Sequence, residues 1–365
     1  MTYIAAIVVF GCALGQSGTL AYITGETQES WQLAILDVAT GETTAIGQGD
    51  RDAYPEWSPD GERLVYQSKS PDNVGIRVVN ADGSDDTPLR HQYSWNFRPR
   101  WSPDGTRIVY SAEGDTAPLR AVVVYDLHDQ RERIWGGEHR GFESPVWLPT
   151  TDLVKALDPD DQAAAEALGL YMLESEAEAH GVVLAVGMVG KPPHMTTEVF
   201  ILTPSFAVPL LSFLIPDSHR YVKWRPTPDH KGRQIAYESD EGGDREIFVL
   251  GRRGIVNISN HPAADWHPVW SPDNSWLAFE SFRAGRRGIY RALVSTANVA
   301  PVHAGERYDC WSPAWSPDGN WLAFVSDMSG AAQLHLCRPD GEDMRQVTSG
   351  PAMALSPTWR PTPRK

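Results

Sequence analysis

Residue types able to do chemistry gather at one recurring place in this sequence, just ahead of a Pro-x-Trp tripeptide or a degenerate copy of it. Asp52 and Tyr54 stand there, then Asn96 and Arg98, Glu143, His219 and Arg220, Asp265 with Trp266 and His267, and Asp309 with Trp311. Mixed carboxylates, guanidiniums, imidazoles and aromatics can form a site for a polar ligand or a metal, and they serve equally as a solvated rim. Paired carboxylates or a histidine could also exchange protons with a substrate. His261 and His267 are six positions apart, which is weak as a metal-ligand spacing, so they read first as loop histidines and no cofactor is expected. Other chemistries are removed by spacing. There is no Gly-x-Ser-x-Gly for acyl transfer, no Walker or Rossmann loop, and no Cys-x-x-Cys for zinc, redox or haem.

The elements that must position those residues come from a repeat. Trp57-Ser58-Pro59-Asp60-Gly61 returns as Trp101-Ser102-Pro103-Asp104-Gly105, Trp270-Ser271-Pro272-Asp273-Asn274 and Trp315-Ser316-Pro317-Asp318-Gly319. Weaker copies begin at Trp147, Trp224 and Trp359, with gaps of 44 to 46 residues throughout except one of 77. Ser-Pro-Asp-Gly suits a type I turn, with Pro presetting φ and Gly or Asn closing it. Its aspartate is therefore a turn former before it is a calcium ligand. Nine residues after four of the tryptophans stand Tyr66, Tyr110, Phe279 and Phe324, each in a short apolar strand, and Tyr237 reads as the counterpart after Trp224 displaced by a longer turn. A third strand follows, as in Glu246-Ile247-Phe248-Val249-Leu250, then a fourth. Units of four strands near 45 residues are propeller blades, which must stack around an axis to bury both faces.

The ends complement each other. Residues 18 to 50 supply three strands, and the missing innermost one appears at Ser356-Pro357-Thr358-Trp359, so the expected fold is an all-β, single seven-bladed β-propeller closed by both termini. The long unit from 147 to 223 carries an insert of about 158–190, with a helix read over Gln162 to His180, or else hides an eighth blade. Cys310 and Cys337 fall at opposite ends of one blade and are expected as free thiols. Residues 1–15 are apolar and too short to span a bilayer. They read as a signal peptide cleaved before Gln16, as a lipoprotein leader with a possible lipid anchor at Cys12, or as a plain strand. Residues 16–365 form the propeller.

The 365 residues carry 32 Lys and Arg against 47 Asp and Glu, a formal charge of −15 that disfavours nucleic acid and anionic lipid. The repeat Pro-x-Trp-Ser-Pro-Asp-Gly with its Leu-Ala-Phe-x-Ser strand, complete in Pro313 to Ser326, resembles that of the TolB family and is similar to propellers attached to prolyl-oligopeptidase-like and tricorn-like peptidases. The resemblance covers about residues 18 to 360 and implies fold more than function. Loops entering the innermost strands converge on the axis of such a fold, which makes Asp52, Tyr54, Arg98, Glu143, Arg220, Asp265, His267 and Asp309 the candidate binding residues. The resulting expectation is a non-catalytic, exported, monomeric scaffold, periplasmic, secreted or lipid-anchored, that binds a protein or glycan partner through its top loops or acidic insert. The alternative is an enzyme or ligand-binding propeller acting on an anionic or sugar substrate in the channel, with Arg98, Arg220 and His267 around a metal.

Overall fold

The computed structural model describes residues 18–48, 51–114, 117–136, 141–150, 152, 176, 179–191, 194–205, 207–211 and 220–362. The leader, Cys12, His219 and most of the insert lie outside these residues. Of the helix read over Gln162 to His180, Glu176, Ala179 and His180 are described and are helical.

The described strands form seven antiparallel four-stranded meanders. Their innermost strands are Ala53–Trp57, Trp95–Trp101, Phe142–Leu148, Lys223–Pro228, Asp265–Trp270, Cys310–Trp315 and Met353–Trp359, here blades 1 to 7 in that order. Blades 1 and 2 merge into one eight-stranded sheet through a single parallel pairing of Val74 with Trp95. Blade 7 is built from both ends of the chain: Met353–Trp359 pairs with Thr19–Gly25, which pairs with Gln32–Asp37 and then Thr43–Ala45. The innermost strands touch in an unbroken ring, blade 7 against both blade 6 and blade 1.

The core sits between blades. Buried apolar side chains fall into seven clusters, one in each gap between neighbours, such as Leu64 and Tyr66 of blade 1 against Ala21 and Leu33 of blade 7. This is why the second strands lose their alternation. Ile235–Ser239 and Leu322–Ser326 are buried at every residue because each face meets another sheet.

Two repeated devices lock this arrangement. In the turn, the Ser58 hydroxyl donates to Asp60 Oδ1 at 2.5 Å and accepts from the Arg63 amide at 2.9 Å, while Asp60 accepts the Glu62 amide at 3.0 Å and Gly61 takes φ +74°. Ser102 with Asp104, Ser271 with Asp273 and Ser316 with Asp318 repeat it. Burial would raise these four carboxyls, but the serine hydroxyl and following amide hold each below its ordinary value. The second device is the repeat tryptophan, whose indole N–H crosses to the preceding blade. Trp57 donates to Thr358 O (3.2 Å), Trp101 to Glu56 O (3.2 Å), Trp270 to Thr227 O (2.9 Å), Trp315 to Val269 O (3.2 Å) and Trp359 to Ala314 O (3.1 Å).

One assignment is corrected. Trp224 is not the repeat tryptophan of blade 4: Pro228 pairs with Ile235 as Trp270 pairs with Leu277, so Pro228 holds that place. Asp229 then plays the turn serine, accepting the Arg233 and Gln234 amides, and Tyr237 keeps the common offset with no longer turn.

Candidate functional site

Every innermost strand breaks register with its neighbour by one bulge. At each bulge a non-glycine residue directly before a proline adopts left-handed backbone: Tyr54, Arg98, Ser144, Arg225, His267, Ser312 and Ser356, with φ between 47° and 56°. The proline disfavours the right-handed helical region for the residue before it, and the bulge leaves that residue out of the ladder. A left-handed non-glycine residue costs roughly 1–3 kcal/mol, so its surroundings must hold it. At three of the seven bulges they do so through the freed amide. Arg98 N donates to Gln67 Oε1 (3.4 Å), His267 N to Glu238 Oε1 (2.8 Å) and Ser312 N to Glu280 Oε1 (2.9 Å), each acceptor lying in the second strand of the preceding blade.

The bulge sorts side chains that the linear pattern leaves together. Two positions before each bulge residue, Asp52, Asn96, Phe142, Lys223, Asp265, Cys310 and Ala354 are buried within the sheets. The bulge residues themselves are half-buried or exposed, and three of them meet across blades: the Arg98 guanidinium lies 5.4 Å from the Tyr54 ring and donates to Ser144 Oγ at 3.1 Å, spanning blades 1 to 3.

The eight sequence candidates therefore divide. Tyr54, Arg98 and His267 belong to the bulge ring. Asp52 is fully buried, accepting the Leu33 amide of blade 7 at 3.1 Å, and Asp265 is fully buried against Arg283 at 3.0 and 3.1 Å, so both act between strands and not at the mouth. Asp309 accepts the Arg287 amide at 3.1 Å and faces Arg286 at 3.3 Å. Glu143 pairs with Arg120 at 2.9 Å on the rim, and Arg220 is exposed at the border of the described residues.

The mouth also holds an aromatic row of which the sequence pattern offers only Trp266 and Trp311; Phe97 is absent from it and Trp224 is assigned there to the repeat. Phe97, Trp224, Trp266 and Trp311 each immediately precede a bulge residue, and each carries a guanidinium on its ring. Arg120 lies 5.2 Å from Phe97, Arg245 lies 3.8 Å from Trp224 and 5.4 Å from Trp266, and Arg287 lies 4.7 Å from Trp311. Buried glutamates anchor this ladder. Glu238 faces Arg245 at 3.2 Å and Arg225 at 3.6 Å, and Glu280 faces Arg287 at 3.5 Å and His267 Nδ1 at 2.9 Å. Burial would raise the Glu280 carboxyl, but His267, the Ser312 amide and Arg287 keep it below the ordinary value. A Glu-Ser pair ending the second strand, with an arginine immediately before the third, was the available signal in Glu238-Ser239 with Arg245 and Glu280-Ser281 with Arg287.

His267 beside Glu280 is oriented as a base could be, yet among the described residues no hydroxyl or thiol lies within hydrogen-bond reach of its Nε2. Among the described residues there is also no group of three metal-ligating side chains. A separate cavity between blades 2 and 3, lined by Arg107, Asp126, Arg131, Trp135 and His180, opens at the turn end and takes no part in the mouth.

Stacked four-stranded blades around a ring of bulges define a β-propeller. No protein-family model matches the chain. Curated TolB homologues do match part of it: one from Chlorobium luteolum is 28% identical over 133 residues and one from Chlorobium chlorochromatii 30% identical over 137, in each case 30% of the relative's length. Among solved structures, TolB from Acinetobacter baumannii superposes with TM-score 0.58 at 14% identity, covering 94% of this chain and 67% of that one. The propeller domain of the Trilobed protease from Pyrococcus furiosus gives 0.64 at 12%, covering 92% and 96%, and the acylaminoacyl peptidase of Pyrococcus horikoshii 0.60 at 14%, covering 91% and 51%. The chain is thus a TolB-like, peptidase-type propeller in fold. The Pyrococcus furiosus domain is described as having an open velcro topology, whereas here the two chain ends share blade 7.

Proposed function

We propose that this chain is a non-catalytic, exported propeller that binds a protein partner through the mouth face. The observation that carries the reading is where apolar surface is left exposed. Among the described residues, Tyr54, Met188 and Met195 are three of the four exposed large apolar side chains, and all stand at the mouth end. Met188 and Met195 lie on a long hairpin of blade 3: Phe142, the first residue of the innermost strand, pairs with Gly187, so the hairpin extends past that strand at the mouth end. Methionines that repack, arginines and large aromatics are what protein-binding surfaces enrich.

The test is capture from the native host. Wild-type protein should retain one partner in near-stoichiometric amount, and a Met188→Glu, Met195→Glu double variant with an unchanged melting curve should lose it. Turnover of a substrate that ends on His267→Ala, or a stoichiometric metal lost with that change, would overturn the reading. Export is checked by N-terminal analysis of the protein from its host, where an intact Met1 argues against it. Among the described residues no helix is long and apolar enough to cross a membrane.

A further inference from the structure

Within that binding face, and resting on the protein-binding reading, we propose that the axial mouth is a carboxylate-reading subsite centred on Arg98, which takes an acidic side chain of the partner. The seven bulge residues comprise a tyrosine, two arginines, a histidine and three serines. None is acidic, in a chain whose formal charge is −15. Of the two arginines, Arg225 shares Glu238 with Arg245. Arg98 differs: it meets the Tyr54 ring, the Ser144 hydroxyl and, through its amide, Gln67, and among the described residues no carboxylate lies within 4 Å of its guanidinium.

A guanidinium has five N–H donors, and Arg98 spends one on Ser144. Stacking and that hydrogen bond fix its plane, so the ordering cost of receiving a ligand is already met by the fold. A fixed guanidinium fork matches a carboxylate in bidentate geometry. The acidic surface elsewhere repels extended polyanions, which leaves a single carboxylate on a mainly apolar segment as the chemistry that suits both Arg98 and the exposed Tyr54, Met188 and Met195. Ser144 and Tyr54 are positioning residues for Arg98.

The experiment uses the full chain and two capped peptides, acetyl-Leu-Glu-Leu-amide and acetyl-Leu-Gln-Leu-amide, with binding read by ligand-observed NMR. The glutamate peptide should bind saturably and the glutamine peptide about tenfold or more weakly. Arg98→Gln, which keeps a donor for Ser144, should bring the glutamate peptide down to the glutamine level; Arg98→Lys should restore part of the difference, and the exposed Arg133→Gln should change nothing. Equal binding of both peptides, an unchanged glutamate peptide in Arg98→Gln, or binding of trigalacturonate in place of either peptide overturns the subsite. If the partner is still captured equally by wild type and Arg98→Gln, the carboxylate subsite falls while the protein-binding face stands; loss of capture in the methionine variant but equal peptide binding separates the two in the same way.

Discussion

Trp101 and Trp147 hold the same place in adjacent blades and differ in one hydrogen bond. Both are buried, at 5% and 4% exposure, and both carry an arginine on the ring, Arg63 at 4.7 Å and Arg107 at 5.0 Å. The Trp101 indole N–H donates to Glu56 O at 3.2 Å, whereas among the described residues the buried Trp147 indole nitrogen meets no acceptor. Substituting phenylalanine at either site removes a similar apolar area and weakens a similar cation–π contact, so those losses cancel in the comparison. What remains is the bond. Trp101→Phe forfeits a net contribution of about 1 kcal/mol and strands a carbonyl, while Trp147→Phe removes a buried unpaired donor that costs about 1–3 kcal/mol. Trp101→Phe should therefore be the more destabilising by roughly 2 kcal/mol. Urea unfolding of both variants, compared at unchanged slope, measures the difference. Losses within about 0.5 kcal/mol of each other, or a costlier Trp147→Phe, would refute the view that the indole crossing is what ties blade to blade.

Other consequences follow from the same structure. Burial lowers the pKa of both His303 and His335, which flank Phe324 at 5.7 Å, so the unfolded chain takes up protons the folded one refuses. Stability should fall as pH drops below about 6.5 and continue to fall until the depressed folded values are passed, and His335→Phe should flatten that slope; parallel wild-type and variant slopes in urea midpoints between pH 7 and 5 would contradict it. Asp318→Ala removes the acceptor for Ser316 Oγ and the Asn320 amide and should cost about 1 kcal/mol in the same assay, with no effect counting against the turn as a structural device. Cys310 and Cys337 are free and buried, with thiols pushed up to about 12, so neither should react with a thiol reagent until the protein unfolds; modification of the native protein would contradict this.

Much of the architecture was legible because it rests on local chemistry repeated in phase. Ser-Pro-Asp-Gly can make its turn wherever it stands, and the offset from Trp to the second-strand aromatic survives in blades as different as those of Tyr66 and Phe324. The register of the two cysteines was legible for the same reason: Cys310 pairs with Ser326 and Cys337 with Leu322, at opposite ends of one strand. Trp224 shows where residue type misleads. It precedes a proline as a repeat tryptophan would, but strand pairing puts Pro228 in that place and returns Trp224 to the mouth, in line with Trp266 and Trp311.

The amino-acid sequence by itself determined the repeat, the turns, the joining of the two ends in one blade and the general location of the mouth, since each depends on contacts within one or two strands. Only the tertiary structure decided which residues face the axis. Asp52 and Tyr54, or Asp265 and His267, stand two apart and would share one face of a regular strand. The bulge before each proline separates them, sending the aspartate between sheets and its neighbour to the mouth, and the amide that this frees is held by Gln67, Glu238 or Glu280 from another blade. The arginine-capped tryptophans of the mouth also depend on tertiary packing: each lies more than 20 residues from its arginine, and the stacking of blade 5 on blade 4 brings Arg245 onto both Trp224 and Trp266.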